Sequence, residues 1–196
     1  MARQAEITRR TQETDITVRL DLDGLGRHEI ATGVPFLDHM LSQVAVHGLL
    51  DLAIHAQGDL AVDDHHTVED VGILLGQALR QALGEAQGVA RYGHAIVPMD
   101  EALALVALDL SGRSWLACEL SFPQPTIGRF DAQLVEEFLR ALAMNARVTL
   151  HARLLAGRNS HHIAEAVFKA LGRALAMAVA ADPRRLGVPS SKGVLG

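Results

Sequence analysis

His65-His-Thr-Val-Glu-Asp-Val-Gly-Ile-Leu-Leu-Gly-Gln-Ala-Leu79 and His161-His-Ile-Ala-Glu-Ala-Val-Phe-Lys-Ala-Leu-Gly-Arg-Ala-Leu175 are one pattern written twice, identical at eight of fifteen positions. The match extends backwards at the same offset of 96, with Asp51-Leu-Ala-Ile-His55 facing Arg147-Val-Thr-Leu-His151. Further upstream the offset becomes 88: Glu13, Val18, Leu20, Asp21, Leu22 and Gly24 face Glu101, Val106, Leu108, Asp109, Leu110 and Gly112. Offsets that change along the chain mean insertions in connecting loops, so the sequence reads as a tandem duplication. The expected halves are residues 1–88 and 89–181, followed by an irregular tail over 182–196 rich in Pro, Gly and Ser.

Each half has the same predicted elements. Thr14–Leu22 and Ala102–Leu110 are apolar, partly alternating runs that end at a turn glycine, hence strands. Ser114–Ser121 is expected as the hairpin partner of the second of these. Pro35–His47 and Asp131–Asn145 read as helices, with Pro35 in a first turn and Asp131 as an N-cap. Strands follow at Leu49–Ala56 and Arg147–Leu155, then long helices at His65–Leu83 and His161–Ala180. Strand, strand, helix, strand, helix, used twice, predicts an α+β fold of two sheets, each backed by helices on one face.

Composition narrows the function classes. The 196 residues are 49% hydrophobic and 21% charged, a balance suited to a folded core rather than disorder. A net charge of -5 argues against a general nucleic-acid binder. One cysteine excludes an intrachain disulfide framework, and no run is apolar enough to span a bilayer, so a cytoplasmic protein without membrane partners is expected. Ten histidines stand out, because imidazole is the commonest metal ligand.

The duplication sorts these histidines. At about 100° per helical residue, Glu69 lies about 40° from His65 and about 60° from His66, while the two imidazoles diverge by about 100°. Each imidazole can share a face with the carboxylate, but adjacent histidines suit two ions better than one; His161, His162 and Glu165 repeat the arrangement. His39, on the preceding helix, is the best further ligand, and the repeat places Glu137 opposite it. Imidazole and carboxylate without thiolate favour manganese, iron or zinc. His55 and His151 recur on strands, where core packing or a subunit contact is an equal account; His28, His47 and His94 have no repeat partner. Leu20-Asp-Leu-Asp-Gly24 resembles a phosphatase loop, but its counterpart Leu108-Asp-Leu-Ser-Gly112 lacks the second aspartate, which favours a hairpin turn. Glu13 and its counterpart Glu101, beside Asp100, sit at strand ends, where a carboxylate can serve as a general acid–base group or simply face solvent. Lys169, on the same helix as His161, together with Arg91, Arg113 and Ser190-Ser-Lys-Gly193, offers the donors that a phosphate needs.

Taken together, Arg10-Thr-Gln-Glu-Thr14, Phe36-Leu-Asp-His-Met40, Asp64-His-His-Thr-Val-Glu-Asp70, Asn159-Ser-His-His-Ile-Ala-Glu-Ala166, Phe168-Lys-Ala-Leu-Gly-Arg173 and Pro189-Ser-Ser-Lys-Gly193 resemble the imidazoleglycerol-phosphate dehydratase family of histidine biosynthesis. The resemblance runs over essentially the whole chain, in the single-function form without an appended phosphatase domain. It implies the ribosomal protein S5 domain 2-like fold, two manganese ions per site, and a homo-oligomeric shell of 24 subunits with sites between subunits. By match to the family motifs, the metal ligands are His39, His65, His66, Glu69, His161, His162 and Glu165. Glu137 stands where some relatives carry histidine, so its ligation stays open. Glu13 matches the acid–base glutamate; Arg91, Arg113, Lys169, Ser191 and Lys192 match the substrate and phosphate contacts. The implied reaction dehydrates a phosphorylated imidazole substrate through a metal-held imidazolate and a diazafulvene-like intermediate, with Glu13 or a metal-bound hydroxide taking the proton. The rival readings are a binuclear metallohydrolase of phosphate esters and a non-enzymatic metal-binding oligomer.

Overall fold

The computed structural model describes residues 2–195, so Met1 and Gly196, the outer ends of the predicted first half and tail, lie outside the described residues. Two four-stranded mixed sheets have identical topology. In the first, β1 (Gln4–Arg10), β2 (Thr14–Asp21), β3 (His28–Ala31) and β4 (Asp51–Gly58) run in the order β1-β2-β4-β3. In the second, β5 (Tyr92–Met99), β6 (Ala102–Asp109), β7 (Trp115–Glu119) and β10 (Thr149–Ala156) run in the order β5-β6-β10-β7. Each sheet has two antiparallel pairings and one parallel edge. A small hairpin, β8 (Thr126–Ile127) with β9 (Phe130–Asp131), precedes the last two helical segments.

Four helices fill the space between the sheets. The helices α1 (Pro35–Gly48) and α2 (His65–Leu83) pack on the first sheet, while α3 (Leu134–Ala146) and α4 (Ser160–Val179) pack on the second. The halves interlock because α1 packs on α4 and α2 on α3. Alternation in β2 and β6 sends Ile16, Val18 and Leu20, and Ala104, Val106 and Leu108, into one continuous core with the helices. The expected α+β architecture of two sheets backed by helices is therefore the one observed.

Several local expectations are corrected. Residues 115–119 do not form a hairpin with β6; β10 inserts between them, and β7 runs parallel to β10 with Thr149 paired to both Asp109 and Trp115. Likewise the turn after Asp21 is no hairpin, since β4 separates β2 from β3. Asp131 is not an N-cap. Burial of Phe130 holds residues 130–131 in the small hairpin, α3 starts at Leu134, and Asp131 accepts a hydrogen bond from the Gln133 N–H. Each half also opens with a strand, β1 or β5, that the expected order lacks, while β3 fills the second strand place of the first half, for which the sequence offered no residues.

The pairing of His55 with His151 is corrected too. Leu49 and Arg147, both left-handed, end α1 and α3, which sets the offset there at 98 rather than 96. His151 therefore corresponds to Ala53. The same offset keeps Glu137 opposite His39. Gly76 and Gly172 are the crossing points: a Cβ on Gly76 would lie 2.7 Å from the Leu142 carbonyl oxygen, and one on Gly172 would lie 2.7 Å from that of Val44.

Candidate active site

Asn159 precedes the second His-His pair and caps α4, its side chain accepting from the N–H groups of His161 and His162. This opens the helix so that the two rings diverge, their centroids 6.2 Å apart and their planes at 85°. His65 and His66 diverge equally, at 6.3 Å and 84°. In the second half the His161 ring turns toward His39 on α1 and the His162 ring toward Asp100 and Glu101; in the first the His66 ring turns toward Asp59 and Glu13.

Among the described residues, His39, His161 and Glu165 bring three donor atoms within 4.8 Å of one another. Glu165 is 6% exposed. Its Oε2 lies 3.1 Å from His161 Nε2 and 3.4 Å from His39 Nε2, while Lys169 Nζ donates to Oε1 at 2.7 Å. Burial pushes the Glu165 carboxyl up, but the Lys169 ammonium and the two imidazoles outweigh this and hold it below the usual carboxylate range. Two imidazole nitrogens and an ionised carboxylate are a donor set that fits a borderline divalent cation. Phe36, which sequence reasoning missed, packs edge-on to His161 at 5.3 Å and fixes its ring.

The other histidine of each pair meets carboxylates. His66 Nδ1 lies 3.0 Å from Asp59 Oδ2, and its Nε2 lies 4.0 Å from Glu13 Oε1. His162 Nδ1 lies 2.7 Å from Glu101 Oε2, and its Nε2 lies 3.7 Å from Asp100 Oδ2. Hydrogen bonds to Asp59 and Glu101 hold the two imidazoles above their ordinary pKa of 6.5. His162, together with the N–H groups of Arg158 and Asn159, pulls Glu101 down to about 2. Asp59 also had no signal in the repeat, because the loop that carries it differs between halves.

Placement of the remaining residues is uneven. His65 lines a cavity of about 300 Å³ with Asp64, Arg129 and Asp131, and Glu69 is exposed. Glu137 pairs with Arg140 at 3.9 Å. Arg91 is engaged by Asp109, at 2.7 Å through Nε, and by the Pro189 carbonyl, so it pins the tail; Arg113, Ser191 and Lys192 are exposed. His47 is kept below its ordinary pKa by burial and by the charges of Lys169 and Arg173. His55 faces Glu29 at 3.6 Å, away from both His-His pairs.

The charge pairs give a pH signature for the metal-free protein. The lowered Glu101 stabilises the fold above the usual carboxylate range, and that stability is lost as pH falls toward about 2. The raised His162 and His66 stabilise it below 6.5, and this is lost as pH rises through their elevated values. In chelator-treated protein Glu101→Gln should therefore lose most melting temperature relative to the parent between about pH 4.5 and 6.5, where Glu101 and His162 are both charged. An equal deficit at pH 5 and about pH 9 would contradict this.

A duplicated α+β chain that converges two imidazoles and an ionised carboxylate has the donor set of a metal-binding enzyme. Comparison with known proteins makes this specific. The family model of imidazoleglycerol-phosphate dehydratase matches residues 32–175. Imidazoleglycerol-phosphate dehydratase of Desulforamulus reducens is 61% identical over 193 residues, covering 98% of both chains. That of Moorella thermoacetica is 58% identical over the full length of both. The crystal structure of the Staphylococcus aureus dehydratase superposes with a TM-score of 0.83 at 42% identity, covering 91% of this chain and 99% of that one. The Pyrococcus furiosus dehydratase, in complex with (S)-C348, gives 0.84 at 41% identity, covering 96% and 100%. The chain belongs to the imidazoleglycerol-phosphate dehydratase family, a family of hydro-lyases.

Proposed function

We propose that this chain dehydrates D-erythro-imidazoleglycerol phosphate to imidazole-acetol phosphate in histidine biosynthesis, with manganese as the bound metal. The observation that carries this reading is the convergence of His39, His161 and Glu165 in a chain of this family. These three would hold one ion; His65, His66, Glu69 and His162 are the proposed remaining ligands, with Glu137 as a further candidate. A divalent ion there would favour the anionic form of the substrate's ring, so that the ring can help expel a side-chain hydroxyl.

The chain's own residues do the rest. Lys169 holds Glu165 Oε1, which leaves Oε2 aimed between the two imidazoles, and its remaining N–H donors suit the substrate phosphate. The side-chain hydroxyl leaves first, as water, with its proton drawn from solvent. Glu13 then takes the C–H proton that this loss acidifies, and the enol that results becomes the ketone. Arg113, Ser191 and Lys192, in bends and turns outside the regular elements, together with Arg91, are the proposed phosphate and positioning contacts.

These contacts do not meet within one copy. Arg91 and Asp109 lie at one end of the β5–β6 pair, and Lys169, 3.3 Å from Met99 Sδ, lies at the other. The seven steps of β5 between them span roughly 23 Å. One phosphate cannot touch both, which supports a site completed by a second copy and, with it, a homo-oligomer; a shell of 24 subunits is the assembly we propose. Tyr92, Ile96 and Trp115, each more than half exposed on the outer face of the second sheet, give such contacts an apolar surface. No helix among the described residues is long and apolar enough to cross a membrane. Burial pushes the Cys118 thiol up to about 11, so it is held as an unreactive thiol, compatible with the cytoplasmic location we propose.

Purified protein loaded with manganese should convert imidazoleglycerol phosphate to imidazole-acetol phosphate, and a chelator should abolish turnover. Phosphate release in place of dehydration would point to a hydrolase, and no turnover in metal-replete protein would defeat the reading. Because imidazole binds metal only when unprotonated, metal should leave as pH falls below about 6–6.5. Metal content unchanged at pH 5 would contradict this.

A further inference from the structure

The duplicated halves treat equivalent carboxylates differently, and the loops before the His-His pairs show why. Gly58 and Gly157 occupy one structural position: a Cβ on Gly58 would meet Thr14 and Thr67, and one on Gly157 would meet Ala102 and Ile163, the repeat counterparts. The next residue is Asp59 in the first half and Arg158 in the second. Six residues then lead to His65, counting Asp59, and three lead to His161. In the short loop the N–H groups of Arg158 and Asn159 donate to Glu101 Oε1 at 3.2 and 2.8 Å, which presents Oε2 to His162 Nδ1. In the long loop Asp59 reaches His66 Nδ1 itself, with its own N–H donating to the Glu13 carbonyl at 3.0 Å. The Glu13 carboxylate, counterpart of Glu101, is left beside Nε2 at 4.0 Å.

Resting on the metal reading above, we infer that Asp59 is a positioning residue: it holds His66 with its proton on Nδ1, leaves Nε2 free for the metal, and thereby releases Glu13 from the orienting role that Glu101 keeps in the other half. A carboxylate that only accepts at Nδ1 fixes both the ring and its tautomer. One extended loop thus turns one copy of an inherited orienting glutamate into a reactive one.

The test uses the full-length protein, with manganese as the probe. Asp59→Asn keeps the shape of the side chain, but its amide can also donate to Nδ1, which permits the tautomer with Nε2 protonated. Asp59→Asn and Asp59→Ala should each weaken manganese binding by about 10–100-fold in equilibrium dialysis. At about pH 8, where the His66 charge contributes little, melting temperature of the Asn variant should stay at the parent value. In metal-free protein at pH 8, ¹⁵N spectra of labelled histidine should show His66 protonated on Nδ1 in the parent and partly on Nε2 in Asp59→Asn, with His162 unchanged. A manganese-binding parent whose Asn variant binds equally well and keeps the parent tautomer overturns the inference while leaving the metal reading intact. A parent that takes up no manganese overturns both.

Discussion

Replacing Glu13 by glutamine should lower kcat by about 10²–10⁴-fold, with little change in KM, metal content or melting temperature. That loss corresponds to roughly 3–5 kcal/mol in the barrier. The expectation rests on how little else the side chain does. Its carboxylate is more than half exposed, and among the described residues its ion pair is with His66 Nε2 at 4.0 Å. Removing an exposed charge of this kind changes stability by no more than about 0.5 kcal/mol. An amide has the same shape but cannot accept a proton, so the defect should fall on the chemical step. Glu101→Gln is the informative contrast, because Glu101 carries three hydrogen bonds and orients His162. It should lose metal affinity and stability together. A Glu13→Gln enzyme working at the parent rate would remove Glu13 from the reaction and leave the proton to another base.

What the sequence makes legible depends on whether the signal is local or comparative. The helices α2 and α4 were readable almost to the residue, because Leu and Ala at helical spacing coincide with the repeat. The divergence of each His-His pair follows from helix geometry alone and matches the observed ring angles of 84° and 85°. Convergence of His39 with His161 and Glu165 was not readable from spacing, since it depends on α1 of one half packing against α4 of the other. The duplication singled out all three residues, and the resemblance agreed, but neither grouped them at one position. Strand partners were misread for a related reason. In both sheets a strand that arrives later in the chain inserts between two earlier ones, so adjacency in sequence misleads about adjacency in space. Asp59 stayed invisible because the repeat highlights what the halves share, and its role comes from a loop where they differ.

The same inter-half packing sets the second large effect, expected from Gly172→Val. A Cβ at Gly172 would lie 2.7 Å from the Val44 carbonyl oxygen, 3.0 Å from the Gly48 nitrogen and 3.1 Å from the Val44 Cα. All three are backbone atoms, so no side chain can swing aside, and α1 must move away from α4. Overpacking of this kind costs about 1–3 kcal/mol or more, which for a chain of this size lowers the melting temperature by roughly 5–10 °C. The consequence reaches the site because these helices also carry the ligands: His39 precedes Val44 on α1, and Glu165 precedes Gly172 on α4. Helices are stiff over that distance of about 7–10 Å, so widening the crossing separates His39 Nε2 from Glu165 Oε2. Gly76→Val provides the control. It creates the equivalent clash, 2.7 Å from the Leu142 carbonyl oxygen and 2.9 Å from the Ala146 nitrogen, but between α2 and α3. Both variants should lose stability to a similar degree, whereas only Gly172→Val should abolish metal binding by the His39, His161 and Glu165 cluster. Equal retention of that metal in the two variants would show that the cluster does not depend on the α1–α4 contact. A Gly172→Val protein melting at the parent temperature would show that the crossing is looser than these distances require.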